Sequence, residues 1–352
     1  MICKLRDLIQ IKNGKDYRTL QQGTIPVYGS GGVMTHIDEY LYDGESVLLP
    51  RKGTLDNIMY VNGKFWTVDT MYWTVVNKDR VLPKYLYYYL SLLNLSSRDS
   101  GSTLPSMTFE SYYSLDVKIP PIELQRKVVD AITPIEEKIT RNNEINDNLY
   151  KQLELIFRYK CKAEVKHPNN VLSDICSYSA DKIAVSELTV FSYYSTENML
   201  PNKAGAIDAT NLPTCNLTTK CHNGDTLISN IRPYFRKIAY VTNVAGCSSD
   251  VLCFTPKEKH LSAFLFCTLY EDCFFDYMLA GNKGTKMPRG DKQLIMKYPV
   301  SIPSPNNLRT FNEVAAPILE LISLHKMANK ELYNLRNSLL PLLINGQATI
   351  SV

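Results

Sequence analysis

The chain has 352 residues, 45% of them apolar and 21% charged, with a formal net charge of +4. This composition excludes intrinsic disorder, and no apolar run is long enough to cross a bilayer; the small basic excess is compatible with a polyanionic partner without arguing for one. Nine cysteines, an odd number without a CxxC pair, and an N-terminus Met1-Ile-Cys-Lys-Leu-Arg with no apolar secretory stretch predict a cytoplasmic chain with reduced thiols.

In chain order, the first half opens with Lys4-Leu-Arg-Asp-Leu-Ile9 and continues through short β-type runs at 46–49, 58–61 and 71–76. Pro83 marks a helix start ahead of Tyr85-Leu-Tyr-Tyr-Tyr-Leu90, followed by a polar loop at 96–106 and a strand that ends at Ile119-Pro-Pro121. The tyrosine run carries Leu86 and Leu90 at helical spacing, so most of its rings are expected to cover a sheet and not to stack on bases. The second half repeats this order at 171–175, 225–228, 239–241 and 251–254, with a helix near 261–270 and a loop at 281–290.

The resemblance between the halves is a duplication. Gly101-Ser-Thr-Leu-Pro105, Ile119-Pro120, Pro134 and Leu149-Tyr150 return as Gly284-Thr-Lys-Met-Pro288, Ile302-Pro303, Pro317 and Leu332-Tyr333, each pair separated by the same 183 positions. After each Ile-Pro the apolar spacing changes to alternating threes and fours. Leu124, Val128, Ile132, Ile135, Ile139, Leu149, Leu153 and Ile156 form one seam; Phe311, Val314, Ile318, Leu321, Leu332, Leu335 and Leu339 form the other. Asn142, Asn146 and Asn329 interrupt the seams and are expected to fix their register. A seam of about thirty residues spans ~45 Å, longer than a small domain needs, which favours extended pairing over packing on the helix's own domain. The order domain, helix, domain, helix requires the two helices to run antiparallel around an approximate twofold. The expected fold is α+β: two similar mixed α/β domains at 1–121 and 166–304, separated by an antiparallel two-helix coiled coil formed by spacer helices at 122–165 and 305–352.

With Gly23-Thr-Ile-Pro-Val-Tyr-Gly-Ser-Gly-Gly32, Leu48-Leu-Pro-Arg-Lys-Gly53, Gly101-Ser-Thr-Leu-Pro105 and Ile119-Pro-Pro-Ile-Glu-Leu-Gln-Arg126, this organisation resembles the specificity subunit of type I restriction-modification systems over essentially the whole chain. The resemblance implies target-recognition domains that each read half of a split DNA sequence, helices that set the gap, and two docked methyltransferase (M) subunits with restriction/translocase (R) subunits. It also places catalysis, S-adenosylmethionine, ATP and Mg in the partners, with no cofactor in this chain. The second half departs from the pattern, with Ile302-Pro-Ser-Pro305 and no counterpart of Tyr-Gly-Ser-Gly-Gly.

Base edges are read by side chains on loops, and phosphates are gripped by Lys and Arg. The candidate DNA-binding residues are Tyr28, Ser30, Arg51, Lys52, Ser102 and Thr103 in the first domain, and Arg232, Tyr234, Arg236, Lys283, Lys286 and Arg289 in the second. Glycines at 29, 31, 32 and 53 permit close backbone approach.

Two rival classes make different demands on the sequence. A stand-alone nuclease or hydrolase would need dispersed catalytic residues: no Asn-Pro-Pro-Tyr or Asp-Pro-Pro-Tyr is present, Gly281-Asn-Lys-Gly-Thr285 lacks a Walker ending, and Glu136-Glu-Lys138 sits on a seam helix where a surface ion pair explains it. A protein scaffold would bind DNA weakly and without salt dependence. Cys215, Cys221 and His222 lack the paired spacing of a zinc site, so buried thiols are the default and no metal is expected.

Overall fold

The computed structural model describes residues 2–95, 106–165, 167–281 and 288–348. The chain divides into two units, Met1–Thr140 with Lys330–Val352, and Arg141–Asn329.

The first unit begins with β1 (Ile2–Lys4), β2 (Ile9–Lys12), the hairpin of β3 (Gln22–Gly29) and β4 (Gly32–Ile37), β5 (Tyr42–Pro50), β6 (Met59–Thr67) and β7 (Met71–Val76). There follow α1 (Pro83–Ser91), α2 (Phe109–Tyr113), β8 (Asp116–Lys118) and the first part of α3 (Ile122–Phe157). Six strands form one sheet in the order β2-β7-β5-β6-β3-β4, and β1 pairs with β8. Val47, Leu49, Tyr72 and Val76 from the sheet, Tyr85, Leu86 and Tyr88 from α1, Val128 and Ile132 from α3, and Leu340 share one core. Tyr85, Tyr88 and Tyr112 are fully buried, and each large apolar side chain so buried contributes about 1.5–3 kcal/mol.

The second unit contains β9 (Asn170–Val171), α4 (Leu172–Ile175), β10 (Cys176–Tyr178), β11 (Lys182–Ala184), β12 (Tyr193–Tyr194), β13 (Leu217–Cys221) and β14 (Thr226–Ser229). It continues with β15 (Ile238–Tyr240), β16 (Ala245–Cys247), β17 (Val251–Pro256), α5 (Ser262–Tyr270), α6 (Asp272–Ala280), α7 (Lys292–Ile295), β18 (Pro299–Val300) and α8 (Pro305–Ile344), whose last part belongs to the first unit. Its strands form two four-stranded sheets, β10-β17-β14-β15 and β11-β13-β16-β12, and β9 pairs with β18.

The duplication is visible in the registers. Lys4 faces Asp116 as Val171 faces Pro299, and Ile9 faces Val76 as Cys176 faces Pro256. Leu5 N donates to Leu115 O at 2.9 Å, and Leu172 N to Tyr298 O at 2.8 Å. Asp7 and Asp174 each accept from the backbone N–H three residues earlier, closing the same turn.

The two helices are antiparallel within each unit. In the first, Arg336 Nε donates to Glu136 Oε1 at 2.9 Å, while Ile132 and Leu340 share the core. In the second, Asn142 Nδ2 donates to Asn329 Oδ1 at 2.7 Å, Asn329 Nδ2 to Asn143 Oδ1 at 2.8 Å, and Asn146 Oδ1 meets His325 Nδ1 at 2.9 Å. Asn142 and Asn329 therefore bond each other and Asn146 bonds His325, all three asparagines buried, which penalises any slip that would leave them unpaired.

The expected apolar register of α8 is off by one. Phe311 is buried as expected, but the other buried positions are Leu308, Ala315, Leu319, Ile322, Asn329 and Leu340, whereas Val314, Leu321 and Leu335 are 40–47% exposed. The helix carries two adjacent apolar columns, and Phe157, 5.7 Å from Phe311 between ring centroids, is part of the core that seats the second column. Leu124 is likewise exposed, because the next residue, Gln125, takes the buried place at the start of α3.

Candidate nucleic-acid interface

In the first unit, β3 and β4 are joined through Ser30-Gly31, with Gly29 facing Gly32 across the turn and Gly32 at φ +114°. The loop after β5 lies against this hairpin: a Cβ on Gly53, whose φ is +89°, would stand 3.1 Å from Ser30 Oγ. Ser30 N donates to Thr70 Oγ1 at 3.4 Å, and Ser30 O accepts from Asn57 Nδ2 at 2.7 Å. Tyr-Gly-Ser-Gly-Gly and Arg-Lys-Gly, distant in sequence, thus form one surface.

Arg51 lies 5.8 Å over the Tyr72 ring, its N–H donates to Thr70 O at 2.9 Å, and its carbonyl accepts from Met107 N at 3.0 Å. Lys52 is exposed and bridges Ser106. The base of the Ser/Gly loop is therefore pinned beside Arg51 and Lys52. Ser102 and Thr103 lie outside the described residues. Tyr28 is half-buried against Leu48, Val61, Phe65 and Met71, and burial pushes its phenol pKa up; its position supports the hairpin more than it offers a free edge. Sequence reading missed Val33 and Met34, 52% and 55% exposed on β4 beside the glycine turn. Their signal was the glycine-bounded run itself, and exposed apolar side chains there suit contact with a thymine methyl.

In the second unit, the loop after β14 is Asn230-Ile-Arg-Pro-Tyr-Phe-Arg236. Arg232 and Arg236, both at φ +51°, bracket a 3-10 turn over Pro233–Phe235. Asn202 and Lys203, at φ +55° and +62°, bond this loop through Asn202 N to Phe235 O at 2.8 Å and Lys203 N to Arg236 O at 2.9 Å. All four non-glycine residues with positive φ among the described residues therefore meet at one place, a conformation that costs energy and is held only where the surroundings enforce it.

Arg232 and Tyr234 are exposed, with Tyr234 and the overlooked Phe235 4.7 Å apart between ring centroids; among the described residues Arg232 forms no ion pair. Arg236 is committed instead to Asp272 at 3.0 Å and Asp276 at 3.5 Å, and Arg289 to Asp250 at 3.1 Å. Arg232 N donates to Pro288 O at 2.9 Å, and Ile231 bridges Arg289, the counterpart of the Lys52 and Ser106 bridge. Lys283 and Lys286 lie outside the described residues.

Glu136 is not a surface pair. It accepts from Tyr88 OH at 2.7 Å and Arg336 Nε at 2.9 Å and faces Lys84 Nζ at 3.2 Å, a half-buried hub joining α1, α3 and α8. Gln125 has a comparable role: its Oε1 accepts from Leu82 N at 2.8 Å, and its Nε2 donates to Arg80 O at 3.1 Å and Pro120 O at 2.8 Å.

Residues 1–151 match the family model of the type I restriction modification DNA specificity domain. Residues 1–151 are thus similar to a type I specificity domain. Part of the chain is 31% identical over 121 residues to a candidate type I restriction enzyme specificity subunit of Haemophilus influenzae, covering 32% of this chain and 31% of that protein. A stretch of 110 residues is 32% identical to the type I restriction enzyme HindI specificity subunit of the same organism, covering 30% and 22%. A third match, 26% over 162 residues, is to a candidate type I specificity subunit of Mycoplasma pneumoniae and covers 43% and 52%. The alignments thus span about half or less of these relatives' own lengths. The fold of the whole chain is similar to that of a solved type I restriction-modification S subunit from M. genitalium, with a TM-score of 0.64 and 14% identity over 100% of this chain and 96% of that one. The specificity domain and this S-subunit fold fit the mixed α/β halves and paired helices described above. No described helix is long and apolar enough to cross a membrane.

Proposed function

We propose that the chain is the non-catalytic DNA-specificity subunit of a type I restriction-modification system. Residues 1–121 and 166–304 each read one half of an asymmetric target, and the helical segments 122–165 and 305–352 are the spacer elements. One observation carries this reading: a specificity domain at 1–151 whose strand registers recur in the second unit, with a glycine hairpin on one copy and a strained arginine-aromatic loop on the other. Exposed Lys52, Arg232 and Tyr234 suit phosphate and base contacts, and Ser30, Val33 and Met34 suit groove-edge contacts. Double-stranded DNA, two M subunits and R subunits are the partners. S-adenosylmethionine, ATP and Mg act in those partners, within the cytoplasm.

Mapping methylated adenines in cells that carry the gene with its neighbouring methyltransferase, with and without this chain, tests the reading. A split, asymmetric target methylated only when the chain is present is the expected result. Methylation or cleavage of DNA by the purified chain alone would overturn it.

A further inference from the structure

We propose that Cys221, Cys247 and Cys253 hold one zinc ion that ties together the two sheets of the second unit, and that the Asp225 carboxylate beside Cys253 is drawn in as its fourth ligand. The inference is independent of the DNA-reading function.

Cys221 ends β13 and Cys247 ends β16, neighbouring strands of one sheet, while Cys253 lies on β17 of the other. Their three sulfurs lie within 4.8 Å of one another, and all three residues are buried. Four ligands around zinc at ~2.3 Å put neighbouring sulfurs ~3.8 Å apart, so the thiols need close by no more than about 1 Å.

Asp225 is the nearest further donor: its carboxylate touches Cys253 but stands outside the group of three sulfurs that lie within 4.8 Å of one another. The turn His222-Asn-Gly-Asp225, with Gly224 at φ +95°, brings its carboxylate to the edge of the thiol group, where Oδ2 lies 3.2 Å from Cys253 Sγ. The side chain is 1% exposed. Oδ2 also accepts from His222 N at 2.7 Å, but Oδ1 makes no hydrogen bond of normal geometry, and neither does the nearby Thr255 Oγ1. Buried thiols alone are ordinary packing. A carboxylate buried beside them with one oxygen unmatched is costly unless a cation joins it. The one basic side chain paired with Asp225 among the described residues is His222, whose Nδ1 stands 3.6 Å from Asp225 Oδ2 and whose Nε2 faces Asp181 at 3.2 Å. At 3.6 Å the imidazole makes no hydrogen bond to the carboxylate, which leaves Asp225 Oδ1 without a partner.

The donor set selects the metal. Three thiolates and one carboxylate on rigid strands suit tetrahedral zinc, while magnesium and calcium require all-oxygen shells. With Asp225 drawn in as the fourth ligand no position stays open, so the ion is structural. It releases the thiol protons on binding and braces β14, the strand that leads into the Arg232 loop. A disulfide would consume two of the three thiols and leave Asp225 unmatched. The spacing of 221, 247 and 253 is not a zinc motif; Cys215, considered with Cys221 from sequence, is exposed, and the true neighbours come from other strands.

The test uses the full chain, purified under reducing conditions without chelator or a histidine tag. Elemental analysis should find about one zinc per chain, released by a mercurial reagent, and cobalt replacement should give a thiolate charge-transfer band with tetrahedral visible bands. Cys247→Ser and Cys253→Ser should lower the metal content about tenfold, while Cys215→Ser and Cys273→Ser leave it unchanged. Wild-type chain that takes up no stoichiometric zinc after reconstitution, or binds cobalt without a thiolate band, overturns the proposal. So does mass spectrometry that finds two of the three cysteines joined in the reduced preparation.

Discussion

The sheet β2-β7-β5-β6 of the first unit and the sheet β10-β17-β14-β15 of the second are the same four strands in the same order, yet they carry different attachments. In the first unit the β3-β4 hairpin extends the sheet edge. In the second, β11, β12 and β13 from the chain between β10 and β14 join β16 in a separate sheet. The offset between equivalent positions shows where they diverged: 167 residues from Ile9 to Cys176 on the first strand, 180 from Val76 to Pro256 on the last, and 183 from Asp116 to Pro299 at the exit. Growth entered where the chain leaves the sheet for solvent. The strands themselves could not drift, because a one-residue slip moves every core side chain to the wrong face.

The copies also differ in how the exit helix is anchored. Gln125 locks the start of α3 from inside with three hydrogen bonds, and Leu308, 183 positions later, buries an apolar side chain instead. The start of α8 is held from outside, where Glu164 Oε2 accepts from Ser304 N at 3.0 Å and Asn307 Nδ2 at 2.8 Å. These bonds hold the Glu164 carboxyl below its usual range.

This comparison can be broken or sharpened by experiment. The largest effect is expected from replacing residues 177–294 with the matching segment of another specificity subunit: one half of the methylated target should change completely and the other should not. Methylome sequencing that found both halves altered would end the idea of independent readers. Next, Gln125→Leu makes the first copy imitate the second, yet it should destabilise the chain by about 2–4 kcal/mol, because Leu82 N and two carbonyls lose their partner; denaturant melts that show no loss would mean the frame tolerates either anchor.

A smaller effect separates two arginines of one loop. Arg232→Ala should weaken DNA binding by the assembled complex about tenfold and reduce its salt slope by about one, as loss of a phosphate contact does. Arg236→Ala, which removes the contacts to Asp272 and Asp276, should act chiefly on stability. Equal salt slopes for the two variants would contradict this division. Gly53→Ala should cost about 1 kcal/mol through its positive φ and its contact with Ser30, and calorimetry would measure it.

The smallest effect is on pH dependence. The hydrogen bond from Lys203 holds Asp272 below its usual carboxylate range. A lowered pKa means that its contribution is present above the unfolded value of about 3.9 and is lost as pH falls through the folded value. Asp272→Asn should therefore flatten the acid limb of stability below about pH 4; an unchanged limb would remove the pair from the account.

Much of this was legible in the chain because it is local or repeated. The offset of 183, the two long helices and the polar interruption at Asn142, Asn146 and Asn329 are patterns along one strand of sequence, and helical periodicity translates them directly into faces. The candidate loops stand out in the sequence for the same reason: glycine, proline and basic residues punctuate them. The folded chain alone could show which member of each loop is free, since Arg232 and Arg236 look alike in sequence, and only the positions of Asp272 and Asp276 commit one of them.

Sequence by itself therefore determined the duplication, the helices and the kind of surface presented, because these depend on spacing between near neighbours. Tertiary structure decided which of the two apolar columns of α8 is buried, that Gly53 meets Ser30, and that thiols 6 and 26 residues apart converge on one another. Each of these depends on which distant strand or helix supplies the opposing side chain, and a contact between segments far apart leaves no periodic trace in either one.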